Sequence, residues 1–257
     1  MDVFRQQLTL FFIAMGFFTR IPMPGWVKVD GESLNKANRY FGLIGLLVGG
    51  ICALVYEITR GFLPVSVSII FAMIAGLVVT GGFHEDGLAD TADGLGGGWS
   101  VADKLKIMKD SRIGTYGALA LVMGLMLKFI VLSELALYNP DIVVTALIVG
   151  HTLSRVTAAS LIFSQSYVRD DDSSKSKPLA QNQTVNELLI LLATAVFVLW
   201  CSGLSGALYI AIGLVLLRWG LIYLFHRQIG GYTGDTLGAT QQFAELACYL
   251  MLLGFSL

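Results

Sequence analysis

The stretch His84-Glu85-Asp86-Gly87-Leu88-Ala89-Asp90-Thr91-Ala92-Asp93-Gly94 gathers four carboxylates directly after a long apolar run. In a helix, Asp86 and Asp90 lie four apart and Asp90 and Asp93 three apart. All three then project from one face at neighbouring turns, with Glu85 beside it. Carboxylates this close repel one another unless solvent or a cation offsets the repulsion. Hard divalent cations such as Mg²⁺ bind through carboxylate oxygens together with substrate phosphates. The array therefore points to a metal site, against the alternative of a solvated acidic loop at a membrane surface. Gly87, Gly94, Gly96, Gly97 and Gly98 allow a backbone to approach a ligand closely.

A second constellation follows in Lys106-Ile107-Met108-Lys109-Asp110-Ser111-Arg112-Ile113-Gly114-Thr115-Tyr116-Gly117. Lys109 and Arg112 could hold phosphate oxygens, the arginine in bidentate fashion, or be ordinary juxtamembrane positive charge. Lys104 and Lys106 are read only as favouring the cytoplasmic side. Asp235, in Gly234-Asp235-Thr236-Leu237-Gly238, is either a helix N-cap or an additional metal ligand or base. Inside apolar segments, ionisable groups are functional-site candidates because they are costly there. His151 and Arg155 share a helix face, and Arg155 is expected to hold an anionic substrate. Glu245 is functional or paired with Arg155, Arg218 or His151, while Lys128 is expected to reach toward an interface, a reading that stays open for Arg218 beside a functional one. The Asp170–Asp172 run reads as a solvated loop.

The elements that must position these groups are membrane helices. Of the 257 residues, 55% are hydrophobic and 14% charged, and the mean hydropathy is +0.73. The apolar content and hydropathy exceed, and the charged content falls below, what an ordinary soluble domain carries. The expected fold is all-α, a polytopic helical membrane protein of about six or seven membrane helices with a cytoplasm-facing polar site, in one domain over residues 1–257. A net charge of -1 gives no electrostatic footprint for nucleic acid. Cys52, Cys201 and Cys248 lack metal-ligand spacing and read as small core residues. No small-residue cleavage site ends the apolar N-terminal run, so it is not read as a removed signal peptide.

Spans are expected at Tyr40–Tyr56, Pro64–Gly82, from the Gly117 region to Leu135, Ile142–Phe163, Leu188–Cys201, Ala207–Phe225 and Ala239–Leu253. Leu8–Phe18 is short for a span, and the sequence leaves open whether it crosses. Gly45 and Gly49 form a small-xxx-small pair suited to close helix contact. Placing Ile21–Arg39 in the cytoplasm also puts there Phe83–Ile113, Ser164–Glu187 and His226–Gly238. With Arg20, those regions hold 12 of the 17 Lys and Arg, so the positive-inside rule selects this orientation. The acidic cluster, the Lys109/Arg112 segment and the Asp235 loop then share the cytoplasmic face.

Glu85–Gly94, Lys109-Asp110-Ser111-Arg112-Ile113-Gly114-Thr115-Tyr116-Gly117 and Gly234-Asp235-Thr236-Leu237-Gly238-Ala239 together resemble the cobalamin synthase family, the adenosylcobinamide-GDP ribazoletransferases. Phe18-Thr19-Arg20-Ile21-Pro22 and Tyr40–Gly45 extend the likeness over essentially the whole chain; Gly42 stands where the family often has proline. The resemblance implies a Mg²⁺-dependent enzyme of the bacterial inner (cytoplasmic) membrane. It would join adenosylcobinamide-GDP to α-ribazole or its 5′-phosphate, releasing GMP. Asp90-x-x-Asp93-Gly94 also looks like part of the acidic signature of CDP-alcohol phosphotransferases, without the arginine and later aspartates of that signature. The expected site has Asp90, Asp93, Lys109 and Arg112 as catalytic groups and Glu85, Asp86, Asp90, Asp93 and Asp235 as metal ligands. Lys109, Ser111, Arg112, Arg155 and Gly234 would bind substrate. A cation-coupled transporter is the rival reading, but no inverted repeat is visible in the sequence; a structural membrane subunit leaves the clustered carboxylates without a purpose.

Overall fold

A computed structural model describes residues 3–168, 182–203 and 206–256. The expected Asp170–Asp172 loop lies outside the described residues. The chain forms α1 (Val3–Phe18), α2 (Gly31–Ala37), α3 (Phe41–Arg60), α4 (Val65–Thr80), α5 (Phe83–Gly97), α6 (Val101–Ile107), α7 (Thr115–Tyr138), α8 (Ile142–Ser164), α9 (Val185–Cys201), α10 (Ala207–Ile229) and α11 (Gly234–Ser256). A short 3₁₀ turn, Asn38–Tyr40, joins α2 to α3. The one β-like feature among the described residues is an isolated bridge between Tyr167 and Tyr232. An all-α membrane fold is therefore what the chain adopts.

Among the described residues, four helical segments are long and apolar enough to cross a bilayer: Gly31–Arg60, α7, α8 and α10. The pair α4 and α5, bent by 86° at its junction, adds a fifth if counted as one broken span. This falls short of the six or seven expected, for a physical reason. The helix α9 has 17 residues and α1 has 16, each short for a bilayer. Within α11, Gln241, Gln242 and Glu245 dilute the apolar character. That helix is central, packed on α5, α7, α8 and α10, so its polar groups meet protein in place of lipid.

The core is built on α3 and α8. Side chains added at Gly45 and Gly49 would come within 2.4 Å of the His151 carbonyl oxygen and 2.8 Å of that of Leu147, so the two backbones touch where the small-xxx-small pair predicted. Nearly the whole of α8 from Gly150 to Ile162 is buried. The polar connectors are not structureless: α2 is capped by Asp30, whose carboxylate accepts from Ser33 N, and α6 carries a Ser100/Asp103 capping box.

Candidate active site on the acidic helix

The acidic stretch is helical, as its spacing suggested. Gly81 and Gly82 both adopt positive φ, 68° and 69°, a conformation glycine takes at little cost, and they turn the chain sharply from α4 into α5. Glu85 and Asp86 thereby fall in the first turn of α5, where unpaired backbone N–H groups favour negative charge. Asp86 is exposed and Asp90 half-buried on the same ridge.

The helix α11 crosses α5 backbone to backbone. A side chain at Gly87 would start 2.8 Å from the Asp235 carbonyl oxygen, and one at Gly238 would start 3.1 Å from Gly87 Cα and 3.2 Å from the His84 carbonyl oxygen. Asp90, three residues beyond Gly87, sits about 60° round the helix from this crossing. Asp235 is thus brought to the acidic helix. It is not the N-cap: Thr233 Oγ1 accepts from Thr236 N and Thr233 N donates to Thr236 Oγ1, which leaves Asp235 inside the first turn. The loop ahead of α11 is held by Tyr232, which exchanges backbone bonds with Ser166 and Val168.

Asp93 is engaged differently. Its Oδ2 accepts from Gly114 N at 2.7 Å and its Oδ1 from Gly117 N at 2.8 Å, so it caps the start of α7 from another helix. Side chains at Gly114 or Gly117 would strike this carboxylate, and Gly117 also abuts the Ala89 carbonyl oxygen. The two sequence motifs are therefore one structural unit. Between them an open cleft of about 470 Å³ is lined by Asp93, Asp110, Arg112, Gly114 and Tyr116. Arg112 Nε lies 2.9 Å from Asp110 Oδ1, and this guanidinium holds the Asp110 carboxyl down at about 2. Lys109, Ser111, Arg112 and Gly234 are exposed.

Arg155 stands apart from that surface group. It is 1% exposed in the interior of α8, with Nη1 donating to the His151 carbonyl oxygen and lying 3.1 Å from His151 Nδ1. Around it lies a buried polar network. Lys128 Nζ is 2.8 Å from Glu245 Oε1, so Lys128 does not reach an interface: it is 6% exposed and neutralises a carboxylate in the interior of the helix bundle. His151 Nδ1 is 3.5 Å from Glu245 Oε2. Tyr249 donates to Glu245 Oε1, and Gln241 to Glu245 Oε2 and Ser154. Gln242 Nε2 donates to Glu85 Oε1 at 2.9 Å, joining this network to the acidic helix. Sequence reasoning missed Gln241, Gln242 and Tyr249; an adjacent pair of amides in an apolar helix was the available signal. A cavity of about 20 Å³, room for about one water, lies among His84, Glu85, Lys128, Arg155 and Glu245. Cys52 and Cys248 are buried as expected, whereas Cys201, at the end of α9, is exposed.

The donor chemistry suits a hard divalent cation. Every candidate ligand is a carboxylate oxygen, and the buried Glu85 Oε2 has no hydrogen-bond partner. Among the described residues, no three His, Cys, Asp or Glu side chains form a ready-made ligand set. Mg²⁺ seldom needs one, since it typically takes one or two carboxylates together with substrate phosphates and water.

A model of the cobalamin-5-phosphate synthase family matches residues 10–253. A relative from Shewanella woodyi (strain ATCC 51908 / MS32) is 96% identical over 257 residues, 100% of each chain. Relatives from Shewanella halifaxensis (strain HAW-EB4) and Shewanella oneidensis are 65% and 58% identical, over 98% of this chain and 98% and 96% of theirs. All three are named adenosylcobinamide-GDP ribazoletransferase. No solved structure matches the chain significantly.

Proposed function

The chain belongs to the cobalamin-5-phosphate synthase family, and on that premise we propose that it transfers the phosphocobinamide group of adenosylcobinamide-GDP to α-ribazole or α-ribazole 5′-phosphate. GMP is released, and adenosylcobalamin or its 5′-phosphate is formed, at a cytoplasm-facing site of the bacterial inner membrane. The observation that carries this reading is the 96% identity over the full chain to a relative named for that transfer. The site adds a physical rationale, since a glycine-built crossing sets Asp235 against the acidic face of α5.

Asp86, Asp90 and Asp235, with Glu85, would hold Mg²⁺, which when bound neutralises charge on the pyrophosphate. Asp93 belongs to the same face, but its two amide bonds make its first task holding the Gly114–Gly117 turn against α5. A ribose hydroxyl of α-ribazole attacks the phosphorus on the cobinamide side. The new O–P bond forms as the bond from that phosphorus to the bridging oxygen breaks, and GMP departs with the oxygen. A carboxylate of the acidic face takes the hydroxyl proton. Lys109 and Arg112 meet the equatorial oxygens, Arg112 exchanging Asp110 for phosphate, while Ser111 and Gly234 border the substrate. Arg155, buried below, supports Glu85 through the network and does not contact the exposed phosphates.

The test supplies purified protein in lipid with adenosylcobinamide-GDP and α-ribazole 5′-phosphate. GMP and a joined corrinoid are expected only when both substrates are present. GMP released without α-ribazole, or a folded sample that releases none, would reject the reading.

A further inference from the structure

The helices α9 and α10 both pack on α8 but hardly on each other, leaving a groove between them. It encloses about 330 Å³ and is walled by Leu153, Val156, Leu192, Leu199, Leu214 and Trp219. Such a wall is what an acyl chain meets in a bilayer. At its mouth stands Arg218, half-buried. Arg218 Nε donates to Ser160 Oγ at 2.8 Å, and Nη2 to the Ser160 carbonyl oxygen at 2.9 Å and to Ser164 Oγ at 2.6 Å. All of these acceptors are neutral, so among the described residues the guanidinium has no carboxylate to offset its charge.

Arg218 also marks a level. Ser160 and Ser164 form the last turn of α8, so Arg218 sits level with the end of that candidate span. Beyond it α10 continues, burying Leu221, Phe225 and Ile229 against Leu161, with Leu95 and Leu105 packed on them. Trp219 and Tyr223 are exposed beside it, as aromatic residues are at a membrane–water boundary. A cation level with the end of α8, beside an apolar slot, has the charge and shape of a single anionic lipid in reverse.

We propose that the α8–α9–α10 groove is a binding site for an anionic membrane phospholipid, its phosphate on Arg218 with the Ser164 hydroxyl and one acyl chain along the groove. No residue of the acidic helix lines the groove, and the site is independent of the reaction proposed above.

Native mass spectrometry of the purified full chain tests it, with phosphatidylglycerol and phosphatidylcholine of the same acyl chains as probes. Phosphatidylglycerol is expected to be retained in preference, at one copy per protomer. Arg218→Gln should weaken its retention roughly tenfold, the loss of one charge-assisted contact, while Arg218→Lys keeps part of it. Ala211 lines the same groove seven residues before Arg218, and Ala211→Trp, which narrows the slot while keeping the guanidinium, should lower retention of phosphatidylglycerol as well. Thermal unfolding identical to the parent chain qualifies each variant for comparison. Equal retention of the two lipids, no effect of either Arg218→Gln or Ala211→Trp in folded protein, or a dimer that closes this groove without lipid would overturn the proposal.

Discussion

Asp93 shows how one carboxylate can look like a metal ligand and act first as a clamp. Its two oxygens meet the amides of Gly114 and Gly117, and an asparagine there would set an NH₂ against one of those donors. Asp93→Asn is therefore expected to cost about 1.5–3 kcal/mol of stability, read as a lowered unfolding temperature in detergent. An unchanged unfolding temperature would show that the clamp carries no weight. The sequence placed Asp93 correctly on the acidic face through its three- and four-residue spacing. Its partners, two backbone amides on another helix, leave no periodic trace. Lys128 and Glu245 illustrate the same limit. Each was legible as an ionisable group within an apolar segment, but their mutual pairing depends on how α7 meets α11. Asp235 was legible as a helix-start residue, whereas the cap belongs to Thr233 because the reciprocal Thr233–Thr236 bonds close the turn first.

At the scale of elements, the site is an arrangement of helix backbones that only glycine permits. Gly87→Ala would place a methyl group 2.8 Å from the Asp235 carbonyl oxygen, which belongs to backbone and cannot rotate away. The α5–α11 crossing must widen, and misplacing reacting groups by about 1 Å costs on the order of 10²-fold in rate. Turnover of Gly87→Ala should fall by about that factor, whereas Gly50→Ala, with nothing within 4 Å of the added carbon, should remain near the parent rate. Equal rates for the two variants would remove the crossing from the account. The helix α5 could be read from the positions of its carboxylates, and a close helix contact on α3 from Gly45 and Gly49, but not that α8 is the partner. The short helices α2 and α6 went unread inside polar connectors, although Asp30 and the Ser100/Asp103 pair are ordinary cap signals. The 86° bend before α5 follows from two consecutive left-handed glycines, and a Gly-Gly pair alone does not specify that geometry.

At the scale of the molecule, composition alone disclosed a helical membrane protein, but the number of spans was less legible because α11 is polar at its centre and shielded by its neighbours. The buried network of Lys128, His151, Arg155, Gln242 and Glu245 ties α7, α8 and α11 to the acidic helix through Glu85. Removing one member of a buried ion pair strands the other. Lys128→Met or Glu245→Gln alone should therefore destabilise by about 3–5 kcal/mol, and the double variant by clearly less than the sum. Additive losses would mean that the pair is not coupled. On the proposed function the buried network supports the carboxylates of α5, and one measurement tests that claim most directly: GMP release by Asp90→Asn beside the parent protein, each across a Mg²⁺ titration and with EDTA. The account predicts that the parent enzyme requires the metal and stops with EDTA, and that folded, membrane-inserted Asp90→Asn loses on the order of 10³-fold in turnover, as removal of a group that stabilises transition-state charge does. Near-parental turnover of that variant, or release by the parent enzyme indifferent to EDTA, would contradict it.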